Sequence, residues 1–306
     1  MRPSRETAPA LADPGAPTQR FDLQSHSTYS DGELAPAQVV GLAASAGIGL
    51  LALTDHDTVA GLAQAAAAAG DHGLELLTGV EISVLDTAGP DLHVCGYGID
   101  PEHAQLLAQL ARSREDRTRR TERMCEAVER SGWRLDRSGI DARRATGASV
   151  GRPHLAQAVF SDPANSARLA REGLRSATDF LVAYLVEGKP AYVPRAAPSV
   201  AEAIDVLHAA GGLAVWAHPF WDLATADQVS STLRRFAGLG LDGVEAFYLT
   251  HSRVQTELLV REAASLGLLT TGSSDFHGPH HPLFHRFGAF PTYGLRPDLG
   301  ALWAQS

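Results

Sequence analysis

Short apolar runs that end in histidine or an acid recur along the 306-residue chain, separated by stretches with apolar residues at helical spacing. Residues 20–25 read as a strand and "APAQVVGLAASAG" (35–47) as a helix. "IGLLALTDH" (48–56) is a strand that turns polar, and the Ala-rich helix after it (59–73) is closed by glycine. Residues 74–84 and "DLHVCGYG" (91–98) read as strands. From 199 the rhythm resumes, with helices at 199–210, 227–238 and 252–266 and strands at 212–219, 241–248 and 267–275. This alternation predicts parallel strands covered by helices, in a barrel or an open sheet. Residues 101–198 break it. A long charged helix (102–131) leads into "GRPHLAQAVF" (151–160) and "ATDFLVAYLVEGKPAYV" (177–193), mostly helical pieces with no obvious parallel strand. The expectation is a barrel from 20–100 and 199–306, with a helical insert subdomain at 101–198. Residues 1–19, rich in Pro, Ala and charge, read as a disordered tail without the apolar segment of a signal peptide.

Bulk properties narrow the function classes. A 44% hydrophobic content supplies ample core. The formal net charge of -9 argues against general duplex-DNA binding, and the Arg112–Arg123 run is cut by acids at helical spacing, as on a solvated helix face. No long uncharged apolar run predicts a membrane span. The two cysteines, Cys95 and Cys125, form no metal or redox pattern, so a cytoplasmic protein is expected. The oligomeric state is not legible.

The chemistry gathers where strands run out. His26 with Asp31, His56, Glu81, His218, and Asp275 with His277 all follow apolar runs, and His93 lies within a strand. Each has a plain alternative: His56 as a cap, Glu81 as an exposed strand residue, Asp31 before Gly32 as a turn, Asp275 as an N-cap. Their joint occurrence on six strand-like segments points to a multi-metal site, because the loops of a (β/α) barrel converge at the strands' carboxyl ends. His72, His103 and His208 read as ordinary helix or loop residues, and His280, His281 and His285 as a surface loop. Gln24 stands two residues before His26, at the spacing that puts both on one strand face.

The segments "DLQSHSTYSDG", "LALTDHDT", "GVEIS", "DLHVCGYG", "AVWAHP" and "SSDFHG" resemble the successive motifs of the PHP (polymerase and histidinol phosphatase) domain family, and in particular its stand-alone metal-dependent phosphoesterases. The resemblance spans roughly residues 20–280. It implies an α/β fold, a distorted (β/α)7 TIM-like barrel with an inserted helical subdomain, and two or three divalent metal ions: Mn, Zn or Fe, with Mg as a further candidate. By motif position, His26, Glu81 and Asp275 hold one ion, Glu81, His93 and His218 a second, and Asp31, His56 and His277 a third. The family's first motif usually reads His-x-His, and here Gln24 replaces the first histidine. A neutral, harder ligand weakens a Zn or Fe site and favours Mn or Mg.

The resemblance also places Arg152 in "GRPH" and Lys189 in "EGKPAYV" on substrate phosphate. Lys189 is the only lysine, in a chain that otherwise uses arginine. His154 and His251 are weaker phosphate-contact candidates, each also explained by helix-start packing. Tyr184 and Tyr192 are candidates for stacking on a base or for packing the insert. The expected function is hydrolysis of a phosphomonoester of a small nucleotide, of the AMP or 3′,5′-bisphosphate type, or at the 5′ end of a short oligoribonucleotide. Metal-activated hydroxide would be the nucleophile, with no side-chain nucleophile. A histidinol-phosphate phosphatase and a degenerate, non-catalytic nucleotide- or metal-binding barrel are the alternatives. A TIM-barrel amidohydrolase with a carboxylated bridging lysine is disfavoured, because the sole lysine sits in the insert.

Overall fold

The computed structural model describes residues 21–86, 91–145 and 150–302. The expected tail at 1–19 lies outside the described residues. Seven strands form one sheet in sequence order: β1 (Phe21–Asp22), β2 (Leu50–Leu53), β3 (Glu75–Leu85), β4 (Asp91–Tyr97), β5 (Leu213–Trp216), β6 (Gly243–Tyr248) and β7 (Leu269–Ser273). The chain just beyond β1 pairs with the chain just beyond β7, and this curls the sheet into a nearly closed barrel. Leu23 N–H donates to Gly272 O at 3.2 Å, Phe276 N–H to Gln24 O at 3.3 Å, and His26 N–H to Phe276 O at 2.8 Å.

β4 departs from the expected parallel pattern. It runs antiparallel to both β3 and β5, while the remaining neighbours pair in parallel. Only a few residues separate β3 from β4, too few for the crossover that a parallel partner requires. Reversal puts the start of β4, not its end, at the mouth where its neighbours finish, so His93 stands opposite Ser83 near the end of β3.

Helices α1 (Pro36–Ser45), α2 (Leu62–His72), α8 (Val200–Ala209), α10 (Ala226–Ala237) and α11 (Arg253–Leu266) belong to the barrel unit. Three of them begin with a capping box: Ser199 with Glu202, Thr225 with Gln228, and Ser252 with Gln255 exchange side-chain and backbone hydrogen bonds. The core buries Val80, Ile82, Val84, Val94, Trp216 and Phe236 together, and a second cluster joins Val39, Leu51, Leu53 and Leu62.

A second compact unit spans residues 111–197, the first being made of the chain on either side. The first boundary falls within the long helix α3 (Ala104–Arg130). The second unit carries α4 (Ser138–Ala145), α5 (Arg152–Ser161), α6 (Ser166–Glu172), α7 (Ala177–Phe180) and a π-helical turn (Leu181–Leu185). Its own core holds Met124, Trp133, Leu155, Val159 and Phe180.

Asp22 ties the seam of the barrel. It is fully buried and accepts hydrogen bonds from Ser274 N–H at 2.9 Å, from the Ser274 hydroxyl, and from Gly288 N–H at 2.8 Å. Burial pushes its carboxyl up to about 7. Asp22→Ala leaves these donors unpaired and is expected to cost about 2–4 kcal/mol. Urea unfolding checks this, and a loss below about 1 kcal/mol would show that the seam does not depend on Asp22.

Candidate metal centre

The loop after β1 turns back on itself. Asp55, buried at the end of β2, accepts Ser27 N–H at 2.7 Å and the hydroxyls of Ser27 and Ser30, each at 2.6 Å. Gly32 closes the turn. A Cβ there would lie 2.3 Å from His26 O, so only glycine permits this approach. The fold-back brings Asp31 over His26 and within reach of two further imidazoles. Asp31 lies 3.6 Å from His26 Nδ1, 3.5 Å from His56 Nε2 and 3.5 Å from His277 Nε2.

Glu81, fully buried on β3, is the hub. Its Oε2 is 3.2 Å from His26 Nε2 and 3.3 Å from His56 Nδ1, and its Oε1 is 3.0 Å from His93 Nδ1 and 3.1 Å from His218 Nε2. Asp275 lies 3.0 Å from His26 Nε2 and accepts the Tyr248 hydroxyl at 2.8 Å. The imidazoles form a row from His277 through His26, His56 and His93 to His218, with neighbouring centroids 4.3–5.3 Å apart. His277 Nδ1 donates to Asp275 O at 2.7 Å, which leaves Nε2 as the ring nitrogen facing Asp31.

Backbone conformation sets two of these directions. His218 and Asp275 adopt left-handed φ values of 30° and 52° two residues after their strands end. Such values are uncommon for non-glycine residues, and here they are held by neighbours. His218 N–H donates to buried Glu245 at 2.9 Å. His218 Nδ1 faces Asp222 at 3.4 Å, one helical turn along the short α9 (Pro219–Asp222).

The carboxylates and imidazoles of the cluster act on one another. Burial works to raise the Glu81 and Asp275 carboxyls, yet the facing imidazoles outweigh it. Glu81 is held well below the usual range and Asp275 at about 2. Burial, with His26 and His93 nearby, takes His56 down to about 4. His26 Nε2, His56 Nδ1, Asp31 Oδ1, Glu81 Oε2 and Asp275 Oδ1 are buried and face one another as ion pairs, but none meets hydrogen-bond geometry with a partner among the described residues. Buried polar atoms without a hydrogen bond are costly, and a mixed imidazole–carboxylate set converging on one place fits a divalent cation. His26, Asp31, His56 and His277, and again His56, Glu81 and His93, each present ligand atoms within 4.8 Å of one another.

All eight expected His and acidic ligands therefore converge. Gln24 is buried, and neither of its amide atoms has a hydrogen-bond partner among the described residues. The phosphate candidates Arg152, His154 and Lys189 belong to the other unit, where Lys189 is exposed and Arg152 half-buried. His154 Nδ1 accepts Gly151 N–H at 3.0 Å and so caps its own helix. Tyr184 stacks on Phe180 at 4.9 Å and donates to Glu172, which makes it a packing residue of the insert. His251 is fully buried and donates from Nδ1 to Ala246 O at 3.1 Å, and burial takes it down to about 4. Asp222, Tyr248, Asp55 and Glu245 were not singled out from the sequence. Asp55 sits within a quoted motif and Asp222 four residues after a candidate ligand, and these were the available signals.

The PHP domain family model matches residues 22–124. A Haemophilus influenzae 5′-3′ exoribonuclease is 33% identical over 262 residues, covering 86% of this chain and 91% of that protein. A Chromobacterium violaceum 3′,5′-nucleoside bisphosphate phosphatase is 34% identical over 260 residues, covering 85% and 87%. The chain belongs to the PHP domain family. A solved Bifidobacterium adolescentis structure, assigned as a metal-dependent phosphoesterase, superposes with a TM-score of 0.71 at 30% identity, covering 86% of this chain and 89% of that one. The family, the TIM-like barrel and the phosphoric-ester hydrolase class expected from the motifs are borne out by these PHP relatives. Among the described residues, no helix is long and apolar enough to cross a membrane.

His251 makes the stability of this PHP chain depend on pH. Its folded-state pKa is depressed from 6.5 to about 4, so as pH falls through that window the unfolded chain takes up the proton first and stability is lost. Between pH 7 and 5, His251→Phe should lose about 2 kcal/mol less than the parent in urea unfolding. Equal losses would contradict the buried neutral state.

Proposed function

We propose that this PHP protein hydrolyses a phosphomonoester of a small nucleotide, of the AMP or 3′,5′-bisphosphate type, or at the 5′ end of a short oligoribonucleotide, using two or three divalent cations. The observation that carries the reading is Glu81, a fully buried carboxylate with each oxygen within 3.3 Å of two imidazoles. That arrangement suits a bridging ligand. The nucleotide class is supported by the names of the relatives, a bisphosphate phosphatase and an exoribonuclease.

His26, Glu81 and Asp275 form one set, Glu81, His93 and His218 a second, and Asp31, His56 and His277 a third. His56 also faces Glu81 and so stands between sets. Cations held there supply Lewis acidity toward a phosphoryl group and water. The chain's own residues keep the carboxylates ionised, hold the imidazole lone pairs inward and fix the tautomer of His277. Gln24 adds a neutral oxygen, which favours Mn or Mg over Zn or Fe. Arg152 and Lys189 are the residues we assign to substrate phosphate, on their motif positions. Neither has an ion-pair partner among the described residues, whereas His154 Nδ1 and His251 Nδ1 are engaged locally, so those two are not assigned. Both cysteines are free and buried, which suits a reducing compartment, and we place the protein in the cytoplasm.

The test is phosphate release from 5′-mononucleotides, 3′,5′-bisphosphates, short RNA and histidinol phosphate, each with Mn, Zn or Mg. Release from histidinol phosphate alone, or from none, overturns the reading. Glu81→Gln should lower bound metal and cut kcat/KM by roughly 100-fold or more. Arg152→Ala and Lys189→Ala should each lower kcat/KM by about 10–100-fold with metal content unchanged, and loss of metal in either variant would refute its role. Gln24→His should raise the Zn retained after purification, read by elemental analysis. Unchanged Zn content would remove Gln24 from the ligand set.

A further inference from the structure

We propose that the Trp221 indole is the platform on which the base of the nucleotide substrate stacks. The proposal rests on the phosphoesterase reading above and deepens it. Among the described residues, every large aromatic side chain is buried or half-buried except Tyr29 and Trp221, which are 43% and 50% exposed. An exposed indole forgoes the burial that its size would otherwise gain. Both exposed rings stand close in the chain to candidate ligands, Tyr29 on the loop between His26 and Asp31 and Trp221 on the short α9, three residues after His218.

Trp221 is braced against the metal centre. Its ring meets Tyr248 at 6.5 Å and Phe284 at 5.5 Å between centroids, with interplanar angles of 75° and 61°. Tyr248 donates its hydroxyl to Asp275, and its ring lies 5.4 Å from that of His218. The Phe284 ring lies 5.5 Å from that of His277 and stacks on His281 at 5.0 Å. The indole is thus one aromatic ring away from candidate ligands by two separate routes. Its backbone is fixed as well, since Trp221 N–H donates to His218 O at 2.8 Å.

A flat apolar surface held beside a phosphate-handling centre matches the two ends of a nucleotide, a base with an open π-face and a phosphate. Stacking of this kind tolerates any base, because each has such a face. Of the two rings that the sequence offers for stacking, Tyr184 is occupied by packing within its own unit, and Tyr192 is half-buried with the Arg120 guanidinium 5.8 Å from its ring centroid.

The experiment compares KM for adenosine 3′,5′-bisphosphate with KM for its abasic sugar bisphosphate analogue, with Mn present, in the parent, Trp221→Ala and Trp221→Phe. The expected result is a preference for the base-bearing substrate of about tenfold in the parent, lost in Trp221→Ala and largely kept in Trp221→Phe. Metal content, measured alongside, should match the parent in both variants. No preference in the parent, or the same preference in Trp221→Ala, overturns the platform while leaving the phosphoesterase reading in place. Failure of the parent to release phosphate from either compound removes the bisphosphate branch of that reading, and the platform with it.

Discussion

One ionised carboxylate, Glu81, shut away from water among four imidazoles, sets the terms for the rest of the molecule. A buried charge of this kind is strongly unfavourable unless its surroundings answer it at every oxygen. The answering groups come from four different strand ends, at residues 26, 56, 93 and 218. Barrel closure and site assembly are therefore one requirement. Without the seam between β1 and β7, His26 has no fixed place, and without the reversed β4, His93 would not face the hub.

Around the hub runs an outer ring of buried acids that ligate nothing in the proposed scheme. Asp22 accepts Ser274 N–H, Asp55 accepts Ser27 N–H, Asp57 accepts Ser83 N–H, and Glu245 accepts His218 N–H. Each acts where the ladder ends and backbone donors would otherwise go unpaired. A side-chain carboxylate replaces the missing strand partner, and each bond joins one strand or its following loop to a neighbouring segment. The ligand-bearing loops are thus positioned by interactions that are themselves buried, which is what precise placement of a first layer of ligands demands.

Much of this was legible in the sequence because the signals are local. Apolar runs ending in His26, His56, Glu81, His218 and Asp275 marked both the strands and the mouth, and helical spacing marked the helices at 199–210, 227–238 and 252–266. The direction of β4 was not legible in that way. A seven-residue alternating segment reads the same in either orientation, and only the short connection before it carries the constraint. The outer acids were hidden for a related reason: an aspartate beside a histidine motif looks like another ligand or a turn until its donors, tens of residues away, are known. Trp221 was missed because one tryptophan in a short polar-apolar stretch reads as core, and exposure is a property of the fold alone.

The left-handed backbone at His218 and Asp275 has an evolutionary consequence. Glycine would relax either position, and so would favour the folded chain, while deleting the side chain that the position exists to aim. Selection for robustness alone would therefore erode this mouth first. Persistence of a histidine and an aspartate at such strained positions across descendants of this chain would record continuing demand for their chemistry, and a drift to glycine would mark a lineage in which that demand had lapsed.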